Sequence, residues 1–193
     1  MKTRTGILAL GALLAMSAPA LAHLDPAEHG SFMAGATHPL FGVDHVLAMV
    51  AVGLWAALLG GRAVATVPAA FVAAMVGGFL LSMAGVPLPF VEPAILASVV
   101  AIGLLVAMAV RIPVGACAAL VGVFAIFHGH AHGGEIGSAT AFAYLAGFAL
   151  STAFLHAGGV ALGLVLGRLG GLRATRLLGA ATAASGLYLM VAA

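Results

Sequence analysis

Charge is scarce in this chain: only 6% of its 193 residues are Asp, Glu, Lys or Arg, against 64% hydrophobic, and the mean hydropathy is +1.24. Soluble domains carry roughly 25% charged residues, so a water-soluble globule is excluded and an integral membrane protein is expected. Cysteine is reduced to Cys117, set in an apolar stretch. A single cysteine excludes an intrachain disulfide and a cysteine-built zinc framework, which leaves a small buried residue as its reading. No G-x-x-x-x-G-K-[ST] loop occurs, so no nucleotide partner is expected. The isoelectric point near 9.2 comes from a handful of arginines. No basic patch interleaved with aromatics accompanies them, so no nucleic acid partner is expected either.

Residues 1–22 read as a cleavable signal peptide: Lys2 and Arg4 give the charged region, residues 7–16 the apolar core, and Ala20-Leu21-Ala22 the small-x-small cleavage signature. A core of about ten residues is too short to span a bilayer. Cleavage leaves His23 at the mature N-terminus, followed by an outer segment 23–40 in which residues 25–28 have a capping-box pattern. Six apolar stretches follow, at 41–59, 64–83, 93–110, 112–132, 142–166 and 174–191. Each is close to the roughly 20 residues that cross a ~30 Å hydrocarbon layer. The expected fold is therefore all-α, a bundle of six transmembrane helices forming one domain over 23–193. Positive charge orients it: alternate connections hold Arg62, then Arg111, then Arg168, Arg173 and Arg176, whereas 84–92 and 133–141 hold no Lys or Arg. Both mature termini then lie outside, in the periplasm of a bacterial inner membrane.

The ionisable side chains gather on that outer side: seven of eight histidines and all five carboxylates. Imidazole and carboxylate are the ligands of borderline divalent metals, and inside lipid they are too costly to keep without a use. The fourth stretch sharpens the point. Its purely apolar part, 114–127, covers only about 21 Å of helix. To cross, the helix must run on through the histidines, which sets His128 and His132 at i and i+4 on one face, a chelating spacing. Glu135 follows at i+3, while His130 points away and is the weaker candidate. At the mouth of the first span stand His38, Asp44 and His45, with Pro39 expected to start the helix. Taken singly, Asp44 also reads as a helix-dipole partner and His45 as a satisfied core histidine. Taken together on one membrane side, these residues read as a metal site. Glu92 opens the third span on the same face, where it is either a first-turn carboxylate or a further acidic ligand. His23 and His29 are expected to capture metal at the surface. His156 lies about 18 Å from Arg168 along its helix, near the bilayer middle, and is a relay candidate; Ser151 and Thr152 are its structural alternative as partners. Met49, one turn past His45, offers a thioether; Trp55 and Phe71 read first as core. Gly159, Gly163, Gly167 and Gly171 form a ridge that permits close helix approach, and Gly53 and Gly77-Gly78 suggest further tight contacts.

The chain resembles the HupE/UreJ family of nickel permeases. The resemblance is carried by His38-Pro39-Leu-Phe-Gly42-Val-Asp44-His45-Val-Leu-Ala-Met49, by Phe127-His128-Gly129-His130-Ala131-His132-Gly133-Gly134-Glu135, and by Thr152-Ala-Phe-Leu-His156-Ala-Gly158. It implies His38, Asp44, His45, Glu92, His132 and Glu135 along the metal path, with Phe71 lining the pore nearby. Ile136 stands where that pattern has a proline.

The expected function is import of Ni²⁺ from periplasm to cytoplasm for a hydrogenase or urease, with the ion as transported substrate rather than cofactor. Nickel is preferred on the resemblance; the ligand set equally suits Co²⁺ or Zn²⁺. An intramembrane metal-dependent hydrolase is the rival, as is a metal sensor or chaperone. No H-x-x-H-H element of the di-iron desaturases occurs, and an enzyme is not expected. Homo-oligomerisation is left open.

Overall fold

The computed structural model describes residues 31–133, 138–169 and 171–192. The expected signal peptide, His23, His29 and Glu135 lie outside the described residues. Among the described residues all regular structure is helical: α1 (Ser31–Phe41), α2 (Val43–Leu59), α3 (Ala63–Met83), α4 (Val91–Ala107), α5 (Val114–Gly133), α6 (Ser138–Leu169) and α7 (Gly171–Ala192). Each of the six apolar stretches coincides with one of α2 to α7. By length and composition, α3, α5 and the Thr140–Leu169 part of α6 are able to cross a membrane, and α1 with α2 make a fourth span if the bent pair is counted as one. α4 is apolar but shorter, at 17 residues. In lipid a helix satisfies its own backbone hydrogen bonds, which is why so apolar a chain takes this form in the described residues.

Pro39 does not start the helix that carries Asp44 and His45, as the sequence suggests. It lies inside α1, and the chain bends by 79° between α1 and α2. The break falls at Gly42, a single extended residue (φ −80°, ψ 110°) whose carbonyl accepts from the Val46 amide at 3.0 Å to open α2. Pro39 has no N–H to give the Gly35 carbonyl, so the last turn of α1 is already weakened. A side chain at position 42 would come within 3.1 Å of both Asp44 Oδ1 and His45 Nδ1. Glycine there turns the chain and leaves the two side chains room.

Close packing pairs helices that are not consecutive. α3 lies against α5, α2 and α1 against α6, and α4 against α7. Glycines make the approaches: Gly129 meets the backbone of Met75, Gly133 that of Phe79, and Gly53 and Gly159 face each other where α2 crosses α6. The expected ridge on α6 holds only in part. Gly159 and Gly163 face α2, Gly167 faces open space, and Gly171 lies beyond α6, opening α7 with φ 64°. Steps of four residues advance about 40° around a 3.6-residue helix, so such a ridge winds off its partner. Likewise Gly78 abuts the Ile126 carbonyl while Gly77 touches nothing. At the end opposite the histidines, Trp55 Nε1 donates to the Val110 carbonyl at 2.9 Å and Arg176 Nε to the Ala107 carbonyl at 2.7 Å, so carbonyls at and just beyond the end of α4 find partners.

Candidate metal centre

Three imidazoles from three helices meet at one end of the bundle. His38 comes from the last turn of α1, His45 from the first turn of α2, and His132 from the last turn of α5; one ring nitrogen from each lies within 4.8 Å of the others. His45 Nε2 and His132 Nε2 are 3.0 Å apart. Two nitrogens held cis at ~2.1 Å from one ion stand about 3.0 Å apart, so this spacing already suits chelation. The His38 ring lies 4.3 Å from that of His132 and 5.9 Å from that of His45, centroid to centroid. Phe148 on α6 is fully buried and presses on all three rings.

Asp44 Oδ1 stands 3.2 Å from His45 Nδ1. The carboxylate accepts the Nδ1 proton, which leaves the Nε2 lone pair of His45 facing His132. A carboxylate behind a histidine whose other nitrogen is bare is the usual arrangement behind a metal-ligating imidazole.

His128 sits one turn before His132 on α5, as the i, i+4 spacing requires, with its ring 5.0 Å from that of His45. It is fully buried, and its Nε2 is 3.0 Å from Ser98 Oγ on α4. Beyond it the Phe71 ring stands between His128 and His156, at 5.5 and 4.9 Å. Among the described residues, four ring nitrogens in this row are buried with no hydrogen-bond partner: Nδ1 of His128, Nδ1 of His132 and both nitrogens of His156. Leaving a buried polar atom unpaired costs about 1–3 kcal/mol, so a run of them marks a place where water or an ion supplies what the protein does not. His156 also borders a groove of about 690 Å³ between α3 and α6, lined otherwise by apolar residues such as Pro68, Val72 and Leu164.

Other candidates fall elsewhere. His130 donates Nε2–H to the Val86 carbonyl at 2.8 Å, tying α5 to the α3–α4 connection rather than joining the trio. Glu92 is exposed on the first turn of α4. Met49 and Trp55 are fully buried in the apolar core. Thr152, a proposed partner for His156, instead donates to the Met75 sulfur at 3.6 Å. Ser98 and Phe148 were not singled out in the sequence. Ser98 had a signal, being the lone polar side chain of the stretch 93–110; Phe148 had none among 10 phenylalanines.

An all-helical, multi-pass membrane protein with a row of buried histidines running in from one end of the bundle is the class these features define. The family described as HupE / UreJ protein matches residues 11–189, and the chain belongs to that family. It is 49% identical over 138 residues to "Protein HupE" of Rhizobium leguminosarum bv. viciae, covering 70% of this chain and 72% of that protein. No solved structure matches it.

Proposed function

We propose that this protein is an inner-membrane permease that imports Ni²⁺ from the periplasm to the cytoplasm for a nickel enzyme such as a hydrogenase or urease. One observation carries the reading: the His45 and His132 Nε2 atoms stand 3.0 Å apart, with His38 within 4.8 Å and Asp44 behind His45. Family membership supplies the choice of nickel. In this reading residues 1–22 are cleaved, α2 to α7 are six spans, and the arginine-bearing connections face the cytoplasm. Glu92 and Glu135 add negative charge at the mouth, and His23 and His29 collect ions there. The trio replaces part of the ion's water shell, His128 and His156 are successive stations deeper in, and Phe71 separates them.

No resident cofactor is needed. A dication entering an inside-negative cell gains about 4.6 kcal/mol per 100 mV, enough for more than a thousandfold accumulation. Each station must hold the ion well enough to admit it and weakly enough to release it. Imidazole and carboxylate without thiolate also accept Co²⁺ and Zn²⁺, and affinity alone would favour Cu²⁺. Uptake into proteoliposomes decides both points. Ni²⁺ should enter when the interior is made negative, and the order of competition by Co²⁺, Zn²⁺ and Cu²⁺ reads selectivity; no potential-driven flux of any of these ions would end the transport reading.

Asp44→Asn tests the support behind the trio. An amide keeps the size of the side chain and removes the charge that holds the Nδ1 proton of His45. Loss of such a partner typically weakens a metal site by about 10–100-fold. The half-saturating Ni²⁺ concentration for uptake should rise by that factor; an unchanged value would separate Asp44 from the site.

A further inference from the structure

The polar contact that the transport reading leaves unused is the one between Ser98 and His128. Ser98 Oγ lies 2.6 Å from the Ile95 carbonyl oxygen and 3.0 Å from His128 Nε2, and both side chains are fully buried. A hydroxyl has one proton. Two oxygens at 2.6 Å with no proton between them would repel, so that proton lies toward Ile95, the familiar back-bond of a serine within a helix. The Ser98 oxygen then offers only lone pairs to His128, and His128 must present Nε2–H. Its Nδ1 is left bare and buried, without a partner among the described residues. The opposite tautomer would bury an Nδ1–H with no acceptor, and orphaned donors are rarer than orphaned acceptors.

We propose that Ser98 is a positioning residue that commits His128 to the Nε2–H tautomer, making Nδ1 the atom that receives the ion between the outer trio and His156. The role as an ion station rests on the transport reading; the tautomer does not. The assignment also separates this pair from a serine nucleophile, which would donate its proton to the imidazole and so require the reverse tautomer. His45 and His128 would thus be set oppositely: Asp44 holds Nδ1–H on the first and exposes Nε2, whereas Ser98 holds Nε2–H on the second and exposes Nδ1.

Nitrogen-15 spectra of purified, histidine-labelled protein without metal test the first half, with the His128 signals assigned by their loss in His128→Gln. Nε2 should show the shift of a protonated ring nitrogen and Nδ1 that of a bare one. The reverse pattern, or an even mixture, overturns the proposal. Ser98→Ala removes a single oxygen and should shift the tautomer population while lowering the maximal Ni²⁺ uptake rate about tenfold, with the half-saturating concentration set by the outer trio unchanged. Ser98→Thr, which keeps the hydroxyl, should return the rate to within about twofold of wild type. A Ser98→Ala protein with normal uptake, or one with slowed uptake but an unaltered tautomer, sinks the positioning role. Wild-type protein that shows the expected tautomer but moves no Ni²⁺ would instead fault the transport reading and leave the tautomer assignment standing.

Discussion

Cells carrying His45→Ala take up Ni²⁺ at trace supply on the order of 100-fold more slowly than wild type, at equal amounts of protein in the membrane. The size of the effect follows from the place of His45 in the row. Its ring touches both the carboxylate behind the site and the nitrogen across it, through Nδ1 at 3.2 Å from Asp44 and Nε2 at 3.0 Å from His132. In the proposed transport reading, deleting it removes a ligand, leaves Asp44 without its partner and takes away the ring beside His128. Losing a supporting group alone typically costs about 10–100-fold, so losing the ligand it supports lies at or above the top of that range. Groups acting on one ion are not additive, and His132→Ala placed on top of His45→Ala should lower uptake little further. His130→Ala is the control: that ring is engaged with the Val86 carbonyl, and uptake should stay within about twofold of wild type. Cells in which His45→Ala accumulates nickel like the parent would show that the trio is not on the path.

Much of this centre was legible in the sequence because helical spacing is a local rule. His128 and His132 had to share a face once the apolar run before them proved too short to cross, and Asp44 beside His45 at a helix start had to stay near its neighbour. What spacing along one helix does not give is which nitrogen faces which across helices. The 3.0 Å approach of His45 to His132 joins positions 87 residues apart, and the meeting of Ser98 with His128 joins positions 30 apart. Those distances depend on how closely the helices pack, and so on the glycines. The same holds for the fold. The six apolar stretches mark six helices because hydrophobicity suffices to make a helix in lipid, but it is nearly uniform around each helix and does not say which face meets which neighbour. The bend at Gly42 is not legible in the sequence because Pro39 has the pattern of a helix start, while the residue that turns the chain beside two bulky polar side chains lies three positions further on.

That dependence on glycine gives the second large effect. Gly129 lies between His128 and His132, and a methyl group there would land on the carbonyl oxygen of Met75, which is backbone and cannot swing aside. Gly129→Ala must therefore push α5 away from α3. Overpacking a core typically costs about 1–3 kcal/mol, and a clash with a backbone atom belongs at the upper end. For a chain of this size that corresponds to a fall in the thermal midpoint of roughly 10 °C in detergent. Uptake should fall with it, because the helix that moves carries both histidines. Gly77→Ala sets the scale: no atom of the described residues lies within 4 Å of a Cβ built at that position, and alanine is the better helix former, so its midpoint should be unchanged or slightly raised. Equal melting of the two variants would mean that α3 and α5 do not meet along Gly129, and the positions of His128 and His132 beside His45 would lose their support.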